Sequence, residues 1–394
     1  MERRVPRDLV NPDLAVRRYA DLGERWLDGM WRADPLADAV ANDDFGTSSA
    51  TAAVRAALAG GIEAVPDAPA SLKSLFDFLD DEPGWVDHDR LDHAADALVR
   101  HTPLLGMVLG AASLLRGAGN FIAGKPLALT GRYVSRPAVR SVEVGEWLRN
   151  VLTRGGMRRD GGGFAYTVRV RLIHAHVRKG ILAAGMWDED AWGVPIPQSY
   201  MALTIAEFGH IAVEGMQTLG VRFTDDELDD IYHLWRYVGH VIGMDEDLNL
   251  RSERDHLAVE ELYRLTSPGP SDEDREFVAA LTEQYLVPEL AKLLPGLEPL
   301  RRTVARTLIH ALERVFIGDA DADALHIPDT PLKHVVGRIG PVLGLVDRIQ
   351  ELRYPDRERT TLRAYKVRDA AMNRMRADYR VEQDLVDAVP VGAR

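Results

Sequence analysis

Apolar residues recur at the spacing of an α-helix along almost the whole chain of 394 residues. In "LDDIYHLWRYVGHVIGM", for example, apolar side chains fall at intervals of three and four residues and form one stripe. Two segments, Thr224 to Glu227 and Ser271 to Asp274, carry the pattern that caps a helix at its N-terminus. Strand signals are few, and strands do not alternate with helices. The sequence therefore predicts a single mostly α-helical domain over residues 1–394, with peripheral N- and C-terminal helices.

Charge and cysteine content exclude several classes of function. The formal net charge is −13, which argues against nucleic acid as a partner, because phosphate binding needs clustered cations. The chain has no cysteine, so disulfides, thiolate nucleophiles, iron–sulfur clusters and thiolate-ligated haem are excluded. Histidine, carboxylate, lysine and tyrosine remain as possible metal ligands.

The apolar segments are too short to predict a transmembrane helix. The longest apolar run, "LLGMVLGAASLL" from Leu104 to Leu115, suits a buried core helix. The arginine pair Arg3–Arg4 is not followed by the apolar run that a secretion signal needs. We expect a cytoplasmic protein, or a secreted one if the given chain is a trimmed mature form.

The segment "RVRLIHAHVR" has two interpretations with different chemistry. As a strand, it places His174 and His176 side by side, as in a mononuclear metal site. As a helix, it aligns Arg171, His174 and Arg178 on one stripe and turns His176 away. The surrounding stretch from Phe164 to Met186 lacks proline and is long for a strand, so the pattern favours the helix.

On a helix, His174 has the setting of an axial haem ligand. A neutral imidazole can bind haem iron through one ring nitrogen. Arg171 and Arg178, one turn before and after it, can reach two propionates through charge-assisted hydrogen bonds. The adjacent helix face is apolar and can pack either on a macrocycle or on the core, and spacing alone leaves that choice open.

Two Glu-x-x-His pairs support a different hypothesis. They are Glu207 with His210 and Glu253 with His256. On facing helices, and with further glutamates, such pairs bind two irons in four-helix bundles. A di-iron carboxylate oxidase is therefore an alternative function.

Three linked blocks resemble a known family. They are "RLIHAHVR", "MWDEDAWGVPIPQSYMALTIAEF" and "TLGVRFTDDELDDIYHLWRYVGHVIGMDEDL". They are similar to the rubber oxygenase family, which includes the latex-clearing proteins and the fungal prenyl-chain-cleaving oxygenases. The resemblance is best over about residues 104–248. It implies an all-α, globin-like core that carries haem b.

The resemblance also implies roles for individual residues. His174 matches the proximal haem ligand, and Arg171 and Arg178 match the arginines that flank it. Arg140, in "TGRYVSRPAVRSVEV", matches an arginine near the haem. The chain departs from the family where latex-clearing proteins have a lysine and a threonine, because Glu143 and Val144 stand there.

A second departure concerns the catalytic base. The family's glutamate before the "TGR" block is missing, and the corresponding region reads "AGKPLAL". Glu143 is our candidate for a replacement, because a carboxylate in an apolar pocket can have a raised pKa and move protons. Arg140 and Glu143 are the predicted catalytic residues.

The function expected from these features is a haem b-dependent oxygenase that uses molecular oxygen on an apolar alkene or isoprenoid substrate. In rubber-cleaving members of the family, oxygen splits an isoprene double bond into an aldehyde and a ketone. A non-catalytic haem-binding sensor that shares the fold is a third hypothesis, because fold does not determine function.

Overall fold

The computed structural model describes residues 3–43, 47–129, 131, 134–353 and 356–381. Within these ranges the regular elements are all helical, which confirms the predicted all-α class. The α-helices are α1 (Pro12–Tyr19), α2 (Asp21–Gly29), α3 (Pro35–Asn42), α4 (Thr47–Gly60), α5 (Ala70–Asp80), α6 (His88–Val99), α7 (Thr102–Val108), α8 (Leu114–Gly117), α9 (Phe121–Leu129), α10 (Pro137–Val151), α11 (Gly162–Ala183), α12 (Glu189–Trp192), α13 (Gln198–Ala206), α14 (Ala212–Thr218), α15 (Asp225–Val241), α16 (Glu253–Thr266), α17 (Asp272–Leu281), α18 (Val287–Leu293), α19 (Glu298–Ile317), α20 (Asp319–Ala324), α21 (Lys333–Arg353) and α22 (Arg357–Asp378).

In the described part of the chain, three pairs of consecutive α-helices are joined by a π-helical turn. Leu109–Ser113 joins α7 to α8, Glu207–Ile211 joins α13 to α14, and Thr282–Leu286 joins α17 to α18. The first two π turns pack against each other, and the Ser113 hydroxyl donates to the Glu207 carbonyl at 2.7 Å. Single π turns inside α-helices occur frequently at functional sites. This contact is therefore a candidate for part of the functional site.

Both predicted N-caps are present. The Thr224 hydroxyl accepts from the backbone N–H of Glu227, and the Glu227 carboxylate accepts from the backbone of Thr224. Ser271 and Asp274 form the same reciprocal pair at the start of α17. Each pair satisfies N–H groups that a helix end leaves without an intrahelical partner.

Helix α11 lies at the centre of the fold. It packs against α3, α9, α10 and α15, while α15 packs in turn on α6. The core around these helices is filled by large side chains with almost no exposed surface, including Trp26, Phe76, Phe164, Trp235, Tyr237 and Tyr263.

The terminal helices cover this core. On the N-terminal side, α1 and α2 pack on α16, and on the C-terminal side α22 packs on α6, α7 and α10. This arrangement confirms the predicted peripheral helices. The assignment of residues 1–394 to one domain stays a prediction.

None of the described helices is by itself long and apolar enough to cross a membrane. The pair His88–Val99 and Thr102–Gly117 meets the same test of length and composition when its two parts are joined across an 83° bend.

Candidate functional site

The segment that carries the predicted haem ligand is a helix. Helix α11 runs without a break from Gly162 to Ala183, so the strand interpretation of "RVRLIHAHVR" is wrong. His174 and His176 point in different directions, as the helical phase predicts. Nδ1 of His176 lies 2.8 Å from the Leu172 carbonyl and can donate to it. This contact ties His176 to its own helix.

His174 is held as a neutral imidazole inside the protein. Burial lowers the pKa of His174 to about 4, and the positive charges of Arg178 and Arg140 lower it further, while Asp34 opposes them. Part of the side chain keeps accessible surface, and neither ring nitrogen has a hydrogen-bond partner among the described residues. A neutral imidazole with an uncommitted nitrogen is the form that binds haem iron. The donor chemistry of His174 therefore fits this group.

Arg171 forms a buried ion pair with helix α3. Its Nε lies 2.6 Å from Oδ2 of Asp34 and its second terminal nitrogen 2.9 Å from Oδ1, which is a bidentate arrangement. The remaining terminal nitrogen donates to the Val241 carbonyl at 3.3 Å. The guanidinium is 3% exposed, so a propionate would have to displace Asp34 to reach it.

Arg178 pairs with Asp38, which lies one turn after Asp34 on α3, through its Nε alone. Its Nε lies 2.9 Å and 3.1 Å from the two carboxylate oxygens of Asp38, and a terminal nitrogen donates to the carbonyls of Pro195 and Ile196. The two arginines thus anchor α11 to α3 on either side of His174. Their predicted contact with propionates stays a prediction, and the structure gives them a positioning role.

Helix α10 brings Arg140 towards His174. The charge of Arg140 lowers the pKa of both His174 and Glu207, so this guanidinium lies near both groups. Glu143 is half-buried and follows Arg140 by one turn of the same helix. The catalytic roles of Arg140 and Glu143 stay predictions.

Glu207 belongs to this region, and the sequence analysis did not place it there. It opens the π turn between α13 and α14. Burial raises the pKa of Glu207 to about 8, the charge of Arg140 opposes this rise, and Glu260 adds to it. A glutamate in this state keeps a proton at neutral pH.

The four residues of the di-iron hypothesis do not come together as one ligand set. His210 Nδ1 lies 3.8 Å from Oε1 of Glu253. The carboxylate of Glu207 instead packs against Gly117: a Cβ added to this glycine would lie 2.5 Å from Oε1 of Glu207. The wider π turn separates Glu207 from His210, which an α-helix would place on one face at this spacing. Among the described residues, the group whose ligand atoms lie together is His210, Glu214 and Glu260, which includes one of the four. The di-iron prediction is wrong in its ligand set.

The two histidines of α15, His233 and His240, contact neighbouring helices and loops. Nε2 of His233 accepts from the Asp87 backbone N–H at 3.1 Å. The ring of His240 stacks on Phe78 with the centroids 4.7 Å apart.

The fold and the site define a class: an all-α protein that holds a single neutral imidazole, between two anchored arginines, in its central helix. Comparison with known proteins gives the family. The model of the family described as "ER-bound oxygenase mpaB/B'/Rubber oxygenase, catalytic domain" matches residues 99–344. This is more than half of the chain and extends well beyond the predicted core of 104–248. The chain belongs to this family, and family membership classes it as an oxygenase.

A solved structure supports the same fold. The structure described as latex clearing protein LCP in the closed state aligns with a TM-score of 0.66 and 18% sequence identity. The alignment covers 86% of this chain and 91% of that one. At this identity the similarity shows a common fold. The search of curated proteins found no match.

Proposed function

We propose that the protein is a haem b-dependent oxygenase in which His174 is the iron ligand and the substrate is an apolar alkene of isoprenoid type. The state of His174 carries the proposal: it is neutral, lies within the central helix and has no partner for either ring nitrogen among the described residues. Part of the His174 side chain keeps accessible surface, so a ligand can reach the imidazole without unfolding the core.

The residues around His174 have distinct tasks in this proposal. Bound haem would supply the redox chemistry with oxygen. The ion pairs of Arg171 with Asp34 and of Arg178 with Asp38 fix the position and rotation of α11, and with them the imidazole. Arg140 places a positive charge close to His174, where it can stabilise negative charge that develops during the reaction.

Two carboxylates are candidates for proton transfer. Glu143 is the residue predicted from the sequence. Glu207 is the second candidate, because burial raises its pKa to about 8. Both are near Arg140, Glu143 by its place on α10 and Glu207 through its charge interaction. A carboxyl with a pKa near the working pH is an efficient acid–base catalyst.

The family name supports an apolar substrate class, and an apolar wall of the core lies next to Glu207. The run predicted as a core helix forms α7, the first π turn and α8, and its residues Leu105, Val108, Ala111 and Leu115 are buried. The Ser113 hydroxyl joins this wall to the Glu207 backbone. The name of the family and that of the aligned structure both refer to rubber or latex, which consists of isoprene units.

The proposed reaction consumes one oxygen molecule for each double bond. The C=C bond breaks, and each carbon forms a C=O bond with one atom of that molecule, which gives an aldehyde and a ketone. No other oxidant or reductant is needed. Oxygen uptake with polyisoprene and with short isoprenoid alkenes tests this directly, combined with mass spectrometry of products made from ¹⁸O₂.

The proposal predicts labelled oxygen in both carbonyl products, and no products from His174→Ala. Haem-containing protein that consumes no oxygen with any alkene, yet changes its visible spectrum with carbon monoxide or nitric oxide, would overturn the oxygenase and support the haem sensor.

A further inference from the structure

Helices α13–α14 and α16 carry the same pattern of ligand-type residues. The first reads "EFGHIAVE" from Glu207 to Glu214 and the second reads "ERDHLAVE" from Glu253 to Glu260. In each, a glutamate follows the histidine by four residues, which places the two side chains on one face. Helix α16 packs on both α13 and its π turn, so the two patterns face each other.

The contact between these helices assembles three ligand atoms. One ring nitrogen of His210 and one carboxylate oxygen each of Glu214 and Glu260 lie within 4.8 Å of one another. We name these three residues the His–Glu cluster. His210 and Glu260 are buried and Glu214 is exposed, so the cluster lies at the edge of the core and is open to solvent on one side.

We propose that the His–Glu cluster binds a divalent first-row transition metal ion. One imidazole and two carboxylates form a donor set that suits zinc, manganese or ferrous iron better than magnesium or calcium, which take oxygen ligands. Ligand atoms around such an ion are about 3–4 Å apart, given metal–ligand distances of about 2.0–2.2 Å. The exposed Glu214 side chain is free of core packing and can supply the small movement that this requires.

Unsatisfied histidine nitrogens are the second observation that points to a ligand. Nε2 of His210 is fully buried and has no hydrogen-bond partner within the described part of the chain. The same holds for both ring nitrogens of His256, which is 0% exposed and lies one turn before Glu260 on α16. Buried polar atoms normally have partners, so three such nitrogens at one helix contact are unusual.

Neighbouring groups hold the cluster in place. The Tyr232 hydroxyl lies 3.1 Å from Nδ1 of His210 and fixes the orientation of the ring, and the His256 ring packs on Tyr232 with the centroids 4.9 Å apart. Nε of Arg116 lies 3.0 Å from Oε1 of Glu260. This ion pair holds the Glu260 carboxylate in position. An outer hydrogen bond such as that between Tyr232 and His210 is typical of metal ligands.

The site shares no residue with the proposed haem site, so the two can be tested separately. The experiment uses the full-length protein as purified, with haem quantified from its spectrum. After chelation and dialysis, Zn²⁺ and Mn²⁺ are each titrated by calorimetry, and bound metal is counted by mass spectrometry. We expect one Zn²⁺ or Mn²⁺ for each chain, with the same result for His174→Ala.

Glu214→Gln is the decisive variant, because the side chain is exposed and the change does not disturb the core. It should weaken metal binding by at least about tenfold. Glu261→Gln is the matched control, since this exposed glutamate lies next to Glu260 but pairs with Tyr19, and its affinity should stay at the wild-type value. Absence of binding by the wild type, or equal binding by wild type and Glu214→Gln, would overturn the proposal.

Discussion

The residues that hold α11 in position are two aspartates on α3. Asp34 binds Arg171 bidentately, Asp38 accepts from Nε of Arg178 with both carboxylate oxygens, and Arg171 is almost completely buried in its pair. A buried ion pair adds little net stability, but loss of one partner leaves an uncompensated charge in the core. The position of His174 therefore depends on residues that bind neither substrate nor metal.

Asp34→Asn should destabilise the protein strongly. We expect the free energy of unfolding to fall by about 3 kcal/mol, because Arg171 stays buried without its carboxylate. Urea denaturation measures this loss. The control is Asp190→Asn, which removes an exposed pair with Arg4 and should cost less than about 1 kcal/mol. Equal effects of the two variants would contradict the role of Asp34.

Proton transfer by a carboxylate predicts a measurable loss of rate. If Glu207 or Glu143 is the catalytic base, its change to Gln should lower kcat by about 10²–10⁴-fold with haem content retained. Single-turnover rates of Glu143→Gln, Glu207→Gln and the control Glu261→Gln compare the two candidates. Full activity in both Glu143→Gln and Glu207→Gln would show that neither carboxylate is needed.

Sequence reasoning separated His174 from His176 because the helical phase is a local property. It did not find Asp34 or Asp38, since each lies about 140 residues from its arginine along the chain. The contact of Arg171 and Arg178 with propionates stays a prediction, and a single sequence does not show that aspartates of another helix pair with these arginines. Partners across a fold depend on packing, which spacing along one helix does not encode.

At the scale of elements, glycines in α11 have opposite roles at its two ends. A Cβ on Gly163 would lie 2.8 Å from the carbonyl oxygens of Asn150 and Gly156 and from Cα of Val151. These are backbone atoms, which do not move aside easily. Gly180 is exposed, and nothing lies within 4 Å of an added Cβ there. The start of α11 thus requires glycine for a close approach to α10, and its end does not.

The same substitution should therefore change stability in opposite directions. Gly163→Ala should lower the free energy of unfolding by about 1–3 kcal/mol through overpacking. Gly180→Ala should raise it by about 0.5–1 kcal/mol, because alanine favours the helix. Thermal and chemical denaturation of both variants provide the comparison. Destabilisation by both, or by neither, would contradict the described packing of α11.

The π turn at the end of α17 buries a glutamate of α19. The Thr282 hydroxyl donates to Oε1 of Glu313 at 2.5 Å, and Glu313 is 0% exposed. Burial raises the pKa of Glu313 from 4.5 to about 8, with a smaller opposing effect of the hydrogen bond from Thr282. The folded protein therefore binds a proton at Glu313 over a pH range in which the unfolded chain has released it.

This difference predicts how stability changes with pH. Between about pH 4.5 and pH 8 the unfolded state binds fewer protons at this residue, so the free energy of unfolding falls as the pH rises. Glu313→Gln removes this contribution and should leave stability less dependent on pH, with a gain over the wild type at pH 8. Urea denaturation at pH 5 and pH 8 measures both proteins. Parallel pH dependence of the two would show that Glu313 is not buried as a neutral acid.

The sequence predicts helices and their caps well because these are short-range patterns, as the reciprocal pair of Thr224 and Glu227 shows. It does not reveal the π turns, because one additional residue shifts the phase of the apolar stripe at a single point, which a pattern of a few residues does not resolve. The failure at Glu207 and His210 follows from this. Their spacing fits an α-helix face, but the π turn at Glu207–Ile211 separates them.

At the scale of the whole molecule, the fold and the family agree with the sequence analysis. The all-α architecture is confirmed, and the family match extends from residue 99 to residue 344. The cofactor and the substrate remain proposals that depend on His174 and on the groups around it. The central claim is that haem binds through this histidine, and absorption of visible light reports on it most directly.

The measurement is the absorption spectrum of purified wild type, His174→Ala and His176→Ala, with iron counted in each sample. We predict a strong Soret band and one iron for each chain in the wild type, loss of the band in His174→Ala, and an unchanged band in His176→Ala. His176 is the matched control because it bonds to its own helix at the Leu172 carbonyl. A colourless wild type, or a Soret band that His174→Ala keeps, would contradict the account.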